Sequence, residues 1–129
     1  MWAGWPAERV LYLFLAVVAF AVFVQVALFH WRQNFRHWSM WTPVVVMLAQ
    51  SLTAGMLAMR PDPALISVFV GLGAAGVASG LVGTYFHLAG VGERVDGYTL
   101  NNFMVGPPPA LPLLVSAVGA LGLITVYLL

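Results

Sequence analysis

The chain encodes an all-α fold: a four-helix transmembrane bundle with both termini on the same side of the bilayer. Three observations lead there. Of 129 residues, 62% are hydrophobic and only 7% charged, with a mean hydropathy of +0.95; a soluble domain devotes about a quarter of its residues to charge. The charged side chains cluster at Glu8 and Arg9, at Arg32 and Arg36, at Arg60 and Asp62, and at Glu93, Arg94 and Asp96, and long apolar runs separate the clusters. About 20 apolar residues cross a hydrocarbon core of about 30 Å, where a helix satisfies every backbone group within itself. The whole chain, 1–129, reads as one integral membrane domain.

The first span is expected over about residues 8–30, since Val10 to Phe29 contains only Gln25 as a polar residue. Its apolar run is too long for a signal peptide and no small-residue cleavage site follows it, so it is expected to remain as an anchor. Trp2 and Trp5 mark one membrane interface, and Trp31, Trp38 and Trp41 the other. The connection His30 to Trp41 reads as a solvated, basic, interfacial loop; were it helical, Trp31, Phe35 and Trp38 would share one face.

The second span, about residues 43–60, is shorter and more polar, carrying Gln50, Ser51 and Thr53. Thr42 followed by Pro43 reads as its N-cap and first residue, and Arg60 as its close, where a cation suits the helix dipole. Gln25 and Gln50 are the large polar side chains deep in the spans. Their depths are comparable, so an interhelical hydrogen bond between them is one reading and a quinone contact the other.

The third span, about residues 63–89, opens on Asp62 and Pro63 as cap and first residue. It contains a literal G-x-G-x-x-G at Gly71, Gly73 and Gly76, with Glu93 where a ribose-binding acid would be wanted. A dinucleotide fold needs a strand before the glycines and further strands to build a sheet. Here both flanks are apolar on every side, so nucleotide binding is excluded. The glycines instead form a stripe, Gly73, Gly76, Gly80 and Gly83, continued by His87 and Gly90. Small residues let backbones approach in lipid, where packing replaces the hydrophobic effect. The stripe is expected to press on another helix or on a flat cofactor.

The fourth span, about residues 110–129, follows a loop ending in Gly106-Pro107-Pro108-Pro109. The prolines read as a stiff polyproline lead-in, or as a surface for a neighbouring subunit. Arg32, Arg36 and Arg94 on one side outnumber Arg9 and Arg60 on the other, which favours a cytoplasmic location for the loops after the first and third spans.

Candidate chemistry is confined to three histidines. His30, His37 and His87 are all placed at one membrane face by the topology, with Arg32, Arg36, Arg94, Glu93 and Asp96. His87 on the glycine stripe, with His30 opposite, could ligate haem b or a chlorin; the alternatives are ordinary interfacial hydrogen bonds or a three-histidine metal site. The absence of lysine excludes a retinal Schiff base, and the absence of cysteine excludes dithiol chemistry and thiolate metal sites. No carboxylate lies inside a span, unlike in proton- or cation-coupled transporters. No nucleophile–base pair, phosphate loop or nucleic-acid surface is evident.

The segments NFRHWSMWTPVV and NNFMVGPPPALPLLVSAVGALGLI resemble small four-helix bacterial membrane proteins with an Asn…Gly-Pro-Pro…Pro approach to the last helix. The resemblance covers about a third of the chain. It implies a bacterial inner-membrane protein, in some cases associated with redox enzyme genes, and carries over no catalytic residue. The expected function is a non-enzymatic accessory subunit of a larger electron-transfer or photosynthetic membrane complex, packing through the glycine face of the third helix. Its expected partners are other membrane subunits, lipid, and a quinone or pigment. A haem b anchor passing electrons to quinone, and a small channel or transporter working as a dual-topology dimer, are the other two classes.

Overall fold

A computed structural model describes residues 1–94 and 96–129. Five α-helices form, α1 Ala7–Arg32, α2 Trp41–Met59, α3 Pro63–Arg94, α4 Leu100–Val105 and α5 Ala110–Leu128, with a 3-10 turn Trp38–Met40 before α2; no strand forms among the described residues. Four apolar helical stretches, Ala7–Arg32, Trp38–Met59, Pro63–Arg94 and Ala110–Leu128, are each long enough to cross a bilayer. The chain is a multi-pass membrane protein.

Helix ends follow their local chemistry. Asp62 Oδ1 accepts from the backbone N–H groups of Ala64 and Leu65 at 2.9 and 3.1 Å, so the expected cap opens α3. The start of α2 differs from the expectation: it begins at Trp41, with Met40 at the N-cap position and no capping side chain, and Pro43 falls within the first turn. A first-turn N–H has no helical acceptor, so proline is tolerated there. α3 runs on to Arg94, beyond the expected end near 89. At 1.5 Å per residue, its 32 residues reach about 48 Å, well past a hydrocarbon core of about 30 Å. α4 is an addition to the four expected helices; Thr99 caps it by accepting from Asn102 N–H at 3.2 Å.

The loop after α1 is not helical. Asn34 and Phe35 both take positive φ, 56° and 45°, a backbone region that costs an aromatic residue about 1 kcal/mol or more. Two interactions hold it. Phe35 N–H donates to His30 O at 3.0 Å, and its ring stacks on Trp41 with centroids 3.9 Å apart.

Two hairpins build the bundle. In the first, α1 lies along α2, where Ser51 Oγ donates to Ala16 O at 2.7 Å. Its far end is tied by Trp2 Nε1 to Leu57 O at 2.8 Å and by Arg9 Nε to Ala58 O at 2.9 Å. Arg9 also lies 4.0 Å from the ring centroid of Trp5. The second hairpin, α3 with α5, is the closer pair. The hairpins meet through α2 on α3 and α1 on α5, and Phe69 of α3 makes an edge contact with Tyr12 of α1 at 5.5 Å.

The glycine stripe is consumed inside this second hairpin. Gly73 and Gly76 face Gly119, Gly80 faces Ser116 and Pro112, Gly83 faces Pro112, and Gly90 faces Pro107. A Cβ on Gly80 would lie 2.5 Å from both Pro112 O and Ser116 N, and would collide with Ser116 Oγ. Ser116 Oγ donates to Val77 O at 2.9 Å across the same contact. The expectation that this face docks a partner subunit is therefore corrected: the chain's own last helix covers it. Gly71, the first glycine of the motif, faces open space.

Candidate functional site

A cleft opens where the hairpins diverge, between the last turns of α1, the stretch Ala75 to His87 of α3, and the first turns of α2 and α5. Its volume is about 460 Å³. Phe69 fills the space between the hairpins near the start of α3, whereas Ala75, Ala78, Ser79, Gly80 and Gly83 leave it open further along. Val26 and His30 come from α1, Thr42 and Pro43 from α2, and Leu111, Pro112 and Val115 from α5. The wall is mostly apolar. His30 and His87 stand at its loop end with Trp38, Ser39 and Met40.

Both imidazoles are fixed by the backbone. His30 Nδ1 lies 2.7 Å from Met40 O, and His87 Nδ1 lies 2.8 Å from Pro108 O. A carbonyl oxygen only accepts, so each Nδ1 carries the hydrogen and each neutral ring presents Nε2 as a lone pair. His87 extends the glycine stripe by one more contact, and this places the triple proline: Pro107 packs on Gly90 while Pro108 receives the imidazole. The polyproline segment therefore seats on α3 of its own chain.

His37 plays another part. Its Nδ1 accepts from Ser39 N–H at 3.2 Å and from the Ser39 hydroxyl at 2.6 Å, so it caps the 3-10 turn and its ring is exposed. It does not line the cleft. Among the described residues no three histidine or acidic side chains assemble as a metal set, which corrects the three-histidine alternative. Arg32 and Arg94 border a separate groove with Gln33, Met104, Pro107 and Pro108.

The paired glutamines separate. Gln25 is exposed on the outer face of α1, so no Gln25–Gln50 hydrogen bond forms. Gln50 is fully buried between Gly76 and Gly122, donating from Nε2 to Val118 O at 3.3 Å. Its Oε1 has no partner among the described residues. An unpaired amide oxygen in an apolar core is unfavourable, whereas Val118 O sits on a helix and retains its backbone partner. Gln50→Leu, of similar volume, is expected to raise stability by about 1 kcal/mol, read as resistance to unfolding in mixed micelles. A loss of stability would mean that the bond to Val118 O outweighs the cost of the unpaired oxygen.

No known protein family, characterised protein or solved structure matches the chain. The cleft therefore stands on its own geometry. Sequence reasoning singles out His30 and His87 but misses Ser39, Thr42 and the small residues Ala75 and Ala78, which line the cleft. A signal for the small residues is present: Ala75, Ala78, Ser79 and Val82 follow helical spacing beside the glycine stripe.

Proposed function

We propose that this protein is a non-catalytic integral-membrane subunit of a larger electron-transfer assembly in the bacterial cytoplasmic membrane, with the α1–α2 and α3–α5 connections on the cytoplasmic side. One observation carries the reading of a subunit. The α3–α5 connection lies outside the four spans yet exposes Leu100, Met104 and Val105 at 79, 75 and 73%. Leu100 and Met104 are four residues apart on α4 and share a face. Apolar side chains grouped on a connection outside the spans mark a contact surface. The resemblance to proteins associated with redox enzymes favours electron transfer as the business of the assembly.

Purification from native membranes in a mild detergent, with mass spectrometry of the co-eluting chains, tests it. The protein is expected to elute with redox-enzyme subunits, and the double variant Leu100→Asn, Met104→Gln to bind them about tenfold more weakly or worse. Its own helix content and thermal unfolding should be unchanged, because both side chains are exposed. A wild-type chain that elutes alone, indistinguishable from the variant, would sink the proposal.

A further inference from the structure

The cleft between the hairpins has chemistry that a packing defect would lack. Each imidazole donates its Nδ1 hydrogen to the backbone, so in the neutral ring each Nε2 is an acceptor; neither Nε2 is hydrogen-bonded to another described residue. A ligand that brings hydrogen-bond donors would find two acceptors there. Its shape is elongated: from Ala75 to His87 the wall advances twelve residues along α3, about 18 Å at 1.5 Å per residue. One end is polar, with His30, His87 and Ser39, and the remainder is lined by Ala75, Ala78, Val82 and Val115. Ala75, Ala78, Val82 and Phe86 are all exposed on the outer surface of α3, so the cleft is open sideways to the bilayer.

We propose that this cleft binds an isoprenoid quinol entering from the lipid phase, with its hydroxylated ring at His30 and His87 and its prenyl chain along the small-residue wall of α3. The match is one of number and polarity. A hydroquinone ring carries two O–H donors where the protein presents two fixed acceptors, and acceptors of this kind favour the quinol over the quinone, whose oxygens only accept. The flat ring would lie beside the aromatic side chains of Trp38 and Phe86, which line the cleft. The tail replaces lipid along a wall that small side chains hold open. A ligand already dissolved in the bilayer needs no passage through water. The inference stands on the cleft alone and does not require a partner subunit.

The test uses the isolated full chain in nanodiscs of phosphatidylethanolamine and phosphatidylglycerol, titrated anaerobically with decylubiquinol and followed by tryptophan fluorescence, since Trp38 lines the cleft. Saturable binding of one quinol per chain is expected, with the dimethyl ether of the same ring binding at least about tenfold more weakly for want of O–H donors. His87→Asn and His30→Asn separate structure from binding. The asparagine amide can still donate to Pro108 O or Met40 O in place of Nδ1, but nothing replaces Nε2. Each is expected to leave thermal unfolding unchanged and to weaken quinol binding about tenfold. Ala78→Phe, which fills the open wall without meeting the core, should abolish it. Three outcomes overturn the proposal: no saturable binding, equal binding of quinol and dimethyl ether, or stoichiometric binding of added hemin with a Soret band that His30→Asn and His87→Asn remove, which would assign the imidazoles to a haem.

Discussion

Gly119→Val is expected to cost about 3 kcal/mol or more of stability, at the top of the range for overpacked sites. A Cβ at residue 119 would lie 2.5 Å from Gly73 O, 2.9 Å from Val77 N and 3.2 Å from Gly76 C. All three atoms are backbone, so no side-chain rotation relieves the clash and α3 and α5 must move apart. Separation breaks the Ser116 to Val77 hydrogen bond and opens the close packing of every glycine along the stripe. In lipid close packing is the main hold on the pair, because apolar surface gains nothing by leaving an apolar solvent. Gly71→Ala is the internal control. It belongs to the same G-x-G-x-x-G yet faces open space, and alanine in an exposed helix should stabilise by up to about 1 kcal/mol. Unfolding in mixed detergent micelles measures both; a Gly119→Val chain as stable as wild type would contradict the interface between α3 and α5.

Phe69→Ala is expected to destabilise by about 2–3 kcal/mol, the range set by the cavity left behind. Phe69 is fully buried, its ring edge meets Tyr12, and a Cβ on Gly122 would lie 3.1 Å from its Cζ. It therefore touches α1 and α5 at once and ties the hairpins at the end away from the cleft. The transfer term that dominates in water is small here, and the missing dispersion attraction accounts for most of the effect. Because the Phe69 ring bridges the two hairpins, proteolysis in micelles should cut the α2–α3 connection near Arg60 to Asp62 faster in Phe69→Ala than in wild type. Equal cleavage rates and equal stability would show that the hairpins are held together elsewhere.

How far the sequence reaches differs from element to element. The four spans follow from hydropathy because lipid demands continuous apolar helices, a one-dimensional requirement. The Asp62 cap is equally local: its side chain bonds two N–H groups within three residues. α4 is hidden because six residues carry too little periodicity to read, although Thr99 signals its cap. The turn after α1 is hidden for a different reason, since Phe35 at positive φ is held by its stack on Trp41, a contact that local preference opposes.

The candidate site divides in the same way. Topology alone brings His30 and His87 to one membrane end, and their shared cleft is an outcome of that parity. His37 arrives at the same end but turns to Ser39, and sequence spacing contains no information on which acceptor or donor a loop histidine will meet. Gln25 and Gln50 lie on helices whose rotation about their own axes hydropathy does not reveal, so one faces outward and the other the core.

Hydropathy, capping residues and glycine spacing suffice to place this chain in lipid as four apolar helices, with a smooth stripe down the third and Asp62 at its start. What the stripe meets emerges only from the folded bundle: the chain's own Pro107, Pro108, Pro112, Ser116 and Gly119, in antiparallel order. The same folding leaves a cleft open beside it. The physical reason is that burial in a bilayer depends on how closely two particular surfaces fit, and fit is a property of pairs of helices that no single segment carries.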